Sequence, residues 1–170
     1  MNAEQLRLLQ HPLKERYRND PAAALITLRA QGRIGEGVTC SVETGRMLVQ
    51  AGLHPATGGT GLAACSGDML LQALVACAGV TLNAVATALG IQMRGGQLTA
   101  EGDLDFRGTL GVDKEAPVGF RAIRLRIAVE SDATPQDLEK LLRLTERYCV
   151  VYQTLRNSPG LEVSIGAEAG

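Results

Sequence analysis

Apolar positions recur along the chain with two different periods. In residues 3–18, Leu6, Leu9 and Leu13 are spaced by three and four, as on one face of a helix, and Pro12 is placed to kink or break it. Residues 25–32 and 38–43 read as strands parted by Gly32, Gly35 and Gly37, with a Thr44-Gly45 turn and a hairpin partner over 46–51. A glycine-rich loop, HPATGGTG, follows from His54 to Gly61. Residues 69–89 carry no charge and are rich in alanine, which predicts a central helix buried on nearly all sides and ended by Gly90. Residues 97–106 alternate Leu98, Ala100, Leu104 and Phe106 as a strand does, and 107–119 read as a loop. Residues 120–130 give the clearest strand, with Ile123, Leu125, Ile127 and Val129 on one face and Arg124 and Arg126 on the other. Thr134 caps a second helix with Pro135 at its first position and Asp137 in its first turn. That helix carries Leu138, Leu141, Leu142, Tyr148, Cys149, Tyr152 and Leu155 and stops at Asn157-Ser158-Pro159-Gly160; residues 161–165 read as a last strand. The order predicts an α+β fold in which two helices cover one face of a sheet.

Length and charge narrow the class. A chain of 170 residues, 45% of them hydrophobic and 21% charged, suits one globular domain and excludes disorder. The expected layout is an N-terminal helical extension over 1–24 and a single domain over 25–170. Seventeen Lys and Arg against 18 Asp and Glu leave a net charge of −1, so there is no basic footprint for nucleic acid and no polybasic membrane anchor. The absence of Trp and the presence of three Tyr and two Phe leave few platforms for stacking bases. The uncharged run over 69–89 has the length of a membrane span. Its alanine content, its interruption by Gln72 and Asn83 and its lack of flanking Lys or Arg favour a soluble core helix instead. The first twenty residues are charged throughout with no apolar run, which leads to the expectation of a cytoplasmic protein.

In that compartment Cys40, Cys65, Cys77 and Cys149 are expected to be thiols, ligands or redox residues rather than a disulfide framework. None forms a Cys-x-x-Cys pair, and His11 and His54 are remote from them, so no metal site is expected. The GGTG loop lacks the Lys-Ser/Thr of a phosphate loop and reads as a flexible or tight connection. Ser66 is not in a nucleophile elbow, and Arg124 and Arg126 read as a solvated strand face. Cys77 among alanines, and Cys149 on the Leu138/Leu142 face, each read as small core residues. The alternative is that the two helices bring these thiols within bonding reach. That requires α-carbons closer than about 7 Å.

Two segments resemble the OsmC/Ohr family, the osmotically induced and organic-hydroperoxide-resistance proteins. SGDMLLQALVACAGVTL, residues 66–82, is similar to the family's Ser-Pro-x-Glu-Leu-Leu…Ala-Cys helix. ERYCVVYQTLRNSPGLEVSI, residues 146–165, is similar to its Glu-x-x-Cys-Pro-Val…Thr-Leu helix and the strand after it. The resemblance covers about residues 25–168. It implies an antiparallel sheet around a long buried helix, a second helix packed on it, and an intertwined homodimer with active sites at the subunit interface. It also implies a cytoplasmic thiol peroxidase acting on organic hydroperoxides, without a bound cofactor and regenerated by an external dithiol of the lipoyl type. Carried over, Cys77 is the attacking thiolate and Cys149 the resolving thiol. Arg33 in QGRIGEG, ahead of Arg29, is the arginine that holds thiolate and peroxide. Many members have a glutamate ten residues before the first cysteine. That position here is Gly67, with Asp68 beside it as the replacement, and Val150 stands where Cys-Pro is usual. These departures support a second expectation, a binding or structural member of the same fold without turnover.

Overall fold

The computed structural model describes residues 3–34, 40–42, 52–62 and 64–164. The possible hairpin partner over 46–51 lies outside them. Helix α1 (Ala3–Asn19) runs on through Pro12 instead of ending there. Leu8 and Pro12 are both exposed, so the carbonyl that the proline deprives of a donor is open to water. The helix is tied to the body by Tyr17, which is buried and donates its hydroxyl to the Ala56 carbonyl at 2.6 Å.

Strands β1 (Leu25–Ile34), β2 (Cys40–Val42), β3 (Met93–Asp105) and β4 (Phe120–Ser131) form one sheet in the order β2-β1-β3-β4, with every neighbouring pair antiparallel. The β3–β4 register pairs Leu98 with Ile127, Ala100 with Leu125 and Gly102 with Ile123, which stacks apolar side chains on the inner face. Gly102 is required there: a Cβ would lie 2.4 Å from the Phe120 ring. On the other face Arg124 pairs with Asp103 at 2.6 Å and Arg126 with Glu101 at 2.8 Å. The strand face read as solvated is therefore an ion-pair ladder between two strands.

The loop over 52–62 is tight. His54 caps a short turn (Pro55–Thr57) by accepting the Ala56 N–H on Nδ1 at 3.0 Å, and Gly58 follows with φ 93°. A Cβ on Gly59 would fall 1.7 Å from the Leu53 carbonyl oxygen. Helix α2 (Ser66–Leu89) then crosses the inner face of the sheet, against β1 and β3. Gly90, at φ 71°, closes it by donating to the Ala86 and Thr87 carbonyls. Leu71, Leu74, Val75, Ala78 and Leu82 are buried on the sheet side, each large aliphatic side chain contributing about 2 kcal/mol. This helix is long and apolar enough to cross a membrane, yet 44% of its most apolar stretch is buried within the protein. It is not buried on all sides, as its composition suggested. Met69, Leu70 and Val80 remain exposed along one stripe.

Strand β3 gives way at Asp105 to a single helical turn, α3 (Phe106–Thr109), so Phe106 belongs to the turn and not to the strand. Asp105 is almost fully buried and grips the Arg107 guanidinium at 2.6 Å, which fastens this corner. Thr134 caps α4 (Pro135–Tyr148) as expected, its Oγ1 accepting from the Asp137 N–H at 3.2 Å. The single long second helix is corrected: it breaks at Cys149, whose φ of −72° and ψ of 108° are extended, and α5 (Val150–Arg156) begins immediately. Two β-branched residues in succession, Val150 and Val151, weaken helix propagation at that point. The strand expected over 161–165 does not form over 161–164, and residue 165 lies outside the described residues. A strand needs a neighbour to complete its ladder, and among the described residues none pairs with this segment; Leu161 and Val163 are 82% and 97% exposed.

Candidate functional site

The break in the second helix builds the site. At an α-helix start the first N–H groups have no partner inside the helix. In α5 the Tyr152 N–H donates to the Cys149 Sγ at 3.5 Å, while those of Val151 and Val150 lie near the Cys77 thiol on α2 and favour its thiolate. The Cys149 thiol and the Thr81 hydroxyl, one turn along α2, act on Cys77 in the same direction. Cys77 and Cys149 are therefore neighbours that act on each other electrostatically, and both are free thiols.

The two sulfurs differ electrostatically. Burial pushes the half-buried Cys77 thiol up, but the amides of Val151 and Val150, the Cys149 thiol and Thr81 outweigh it and bring it below the ordinary thiol value. Cys149 is 1% exposed; burial, opposed by the Tyr152 amide and reinforced by its donation to Cys77 and by the negative charge there, pushes it up to about 11. A proton shared between them thus rests on Cys149, which leaves Cys77 as the more readily ionised of the two. A sulfenic acid formed on Cys77 would have a thiol beside it for condensation.

Asp68 lies apart from this sulfur, in the first turn of α2, nine residues and about 13 Å along the axis from Cys77. Burial pushes its carboxyl up, and nearby His54 opposes that. His54 itself stacks on Phe106 with ring centroids 5.0 Å apart. Arg33 is the register partner of Ser41 on β2 and Gln97 on β3, and Arg29 that of Glu101; their side chains lie outside the described residues, as does that of Cys40. Cys65 caps α2 without a side-chain hydrogen bond and packs against the main core.

Sequence reasoning missed the Val150 and Val151 amides, Thr81 and Tyr152. A backbone donor has no side-chain signature, but Val150 did carry one. A proline there would have no N–H, so the departure from Cys-Pro adds a donor to Cys77.

Next to Cys149 is a cavity of about 230 Å³. Ile123, Leu125 and Ile127 of β4 and Leu142, Thr145 and Glu146 of α4 form most of its wall.

The family model for OsmC-like protein matches residues 59–164, a span that holds both α2 and the Cys149 break. The chain belongs to the OsmC-like family. The match begins after β1, so Arg33 lies outside it, while Cys77, Cys149 and Asp68 lie within. Among solved structures, an OsmC-like hydroperoxide resistance protein from Jannaschia sp. ccs1 superposes with a TM-score of 0.59 at 13% identity, covering 86% of this chain and 97% of that one. An OsmC-like protein from Mycoplasma pneumoniae superposes with a TM-score of 0.55 at 16% identity, covering 79% and 86%. At these identities the likeness establishes the fold. No curated protein matches the sequence.

Proposed function

We propose that this OsmC-like protein is a thiol peroxidase that reduces organic hydroperoxides to alcohols. The observation that carries the reading is the Cys77–Cys149 pair, with the Val150 and Val151 amides aimed at the sulfur of lower pKa. The Cys77 thiolate attacks the terminal peroxide oxygen. The S–O bond forms as the O–O bond breaks, and the leaving alkoxide takes a proton to become the alcohol. Cys149 then attacks the sulfenic sulfur, the disulfide forms, and hydroxide leaves with the Cys149 proton as water. Arg33 is the candidate to hold the peroxide and Asp68 the candidate carboxylate in place of the family's glutamate. An external dithiol, of the lipoyl type by family resemblance, restores both thiols in the cytoplasm.

The working form is a homodimer. Met69, Leu70 and Val80 lie exposed on the face of α2 that also carries Cys77, and a second copy laid there would cover the stripe and enclose the site. The same apolar surroundings favour a substrate with a tail, by roughly 0.8 kcal/mol per buried methylene. The test is kcat/KM with a dithiol for cumene hydroperoxide against hydrogen peroxide. A clear preference for the organic peroxide is expected, and equal or reversed values refute the apolar site.

One observation favours a second reading, an OsmC-fold binding or structural protein without turnover. Asp68 has His54 as its electrostatic neighbour, and Gly67 offers no carboxylate. Failure of the protein to consume any alkyl hydroperoxide in the presence of a dithiol would establish it over the peroxidase.

A further inference from the structure

The cavity beside Cys149 has no part in the oxidative half of the proposed cycle. Of the two paired thiols only Cys149 is in its wall. Leu142, also in the wall, is 46% exposed and marks where the cavity meets solvent. Its volume of about 230 Å³ suits a short aliphatic chain rather than a drug-sized ligand, which needs roughly 300 Å³ or more. Ile123, Leu125, Ile127 and Leu142 give it an apolar side for such a chain, and Thr145, Glu146 and Tyr152 a polar one.

Resting on the peroxidase reading, we infer that the external thiol reductant enters through this cavity and attacks the Cys149 sulfur of the disulfide, expelling Cys77. The incoming thiolate forms a mixed disulfide with Cys149, and the electron pair of the broken S–S bond leaves on Cys77. The second thiol of the reductant then attacks its own bound sulfur. The reductant departs as a disulfide, and Cys149 recovers its thiol by taking the proton which that second thiol gave up. Two features of the site agree with this direction. Cys149 shows 1% of its surface, so the cavity, not the open surface, is the approach to its sulfur. The Val150 and Val151 amides receive the departing Cys77 thiolate, and exchange is faster when the leaving thiol has the lower pKa. Peroxide and reductant thus reach the pair from different sides, one along α2 and one between β4 and α4.

The experiment uses the full chain. The Cys77–Cys149 disulfide is made with diamide, which needs no peroxidase activity, and exposed briefly to 2-mercaptoethanol. The reaction is quenched with acid and the free thiols are alkylated with N-ethylmaleimide. Peptide mapping is expected to find the mercaptoethanol adduct on Cys149 and the maleimide on Cys77. The reverse assignment overturns the inference, as does failure of diamide to join the two cysteines. Leu142→Trp, which fills the mouth, is expected to slow reduction of the preformed disulfide at least tenfold, and an unchanged rate counts against the route. A disulfide made by diamide but not by cumene hydroperoxide removes the peroxidase reading, while the adduct's position still decides the route.

Discussion

Cys77 and Cys149 are neighbours in space and opposites in environment. Cys77 sits mid-helix, half-buried, on the stripe of α2 that leaves Met69, Leu70 and Val80 exposed, with amide donors converging on its sulfur. Cys149 is itself a helix break, almost fully buried, and the Tyr152 and Val151 amides near it do not offset that burial. Identical side chains are thus driven in opposite directions, Cys149 up by its burial and Cys77 down by the amides and hydroxyl around it. The helix interior supplies no spare N–H to Cys149's partner; the start of a new helix does. The asymmetry gives each sulfur one role, and it can be broken from either side.

The largest effect is expected from Cys77→Ser. A serine hydroxyl is barely ionised at neutral pH and forms no sulfenic acid, so consumption of an alkyl hydroperoxide should fall to the uncatalysed rate. Cys149→Ser should act differently. Single-turnover consumption should stay near one equivalent per subunit, while turnover with a dithiol collapses and Cys77 climbs to sulfinic and sulfonic acid under excess peroxide. Peptide mass analysis separates the two outcomes. If both cysteines were inert core, Cys149→Ser would alter stability alone.

A smaller effect should follow from Val150→Pro. Proline is compatible with the first turn of α5, and the ψ of 108° at Cys149 suits a residue that precedes proline. The fold should therefore hold while one donor to Cys77 is lost. That amide favours the thiolate, so without it the Cys77 pKa should rise. Iodoacetamide alkylation at neutral pH should slow, and an unchanged alkylation profile would remove the amide from the account.

The smallest effect is in the pH dependence of stability. Cys149 has its folded-state pKa raised to about 11, against an unfolded thiol near 8.5. Its contribution is then complete below about pH 8.5 and is lost as pH rises toward 11. Denaturant midpoints measured across that window should fall in the wild type, and fall less in Cys149→Ala.

Much of this arrangement was legible in the chain. The uncharged run around Cys77 announced a core helix, the Leu98/Ala100/Leu104 alternation its strand, and Thr134-Pro135 the start of α4. The two cysteines stood out because each lay on a main helix and within a family motif. The break at Cys149 was hidden because Leu138, Leu142, Tyr152 and Leu155 keep a helical rhythm across it; only the local backbone decides that the helix restarts. Asp68 is legible in a different way. Adjacent to the expected position in sequence, it is turned by the helix toward a different neighbour, His54. The exposed stripe of α2 was illegible for a third reason. Alanine, valine and leucine mark a surface as apolar without saying what covers it.

The central claim is that Cys77 and Cys149 form one redox pair. It is tested most directly by adding one equivalent of cumene hydroperoxide to the fully reduced protein and measuring the intact mass and the linked peptides. The account predicts a loss of about two hydrogens and a single cross-link joining the Cys77 and Cys149 peptides. A protein that stays fully reduced, or a cross-link that leaves Cys149 free, such as one between Cys65 and Cys77, would contradict it.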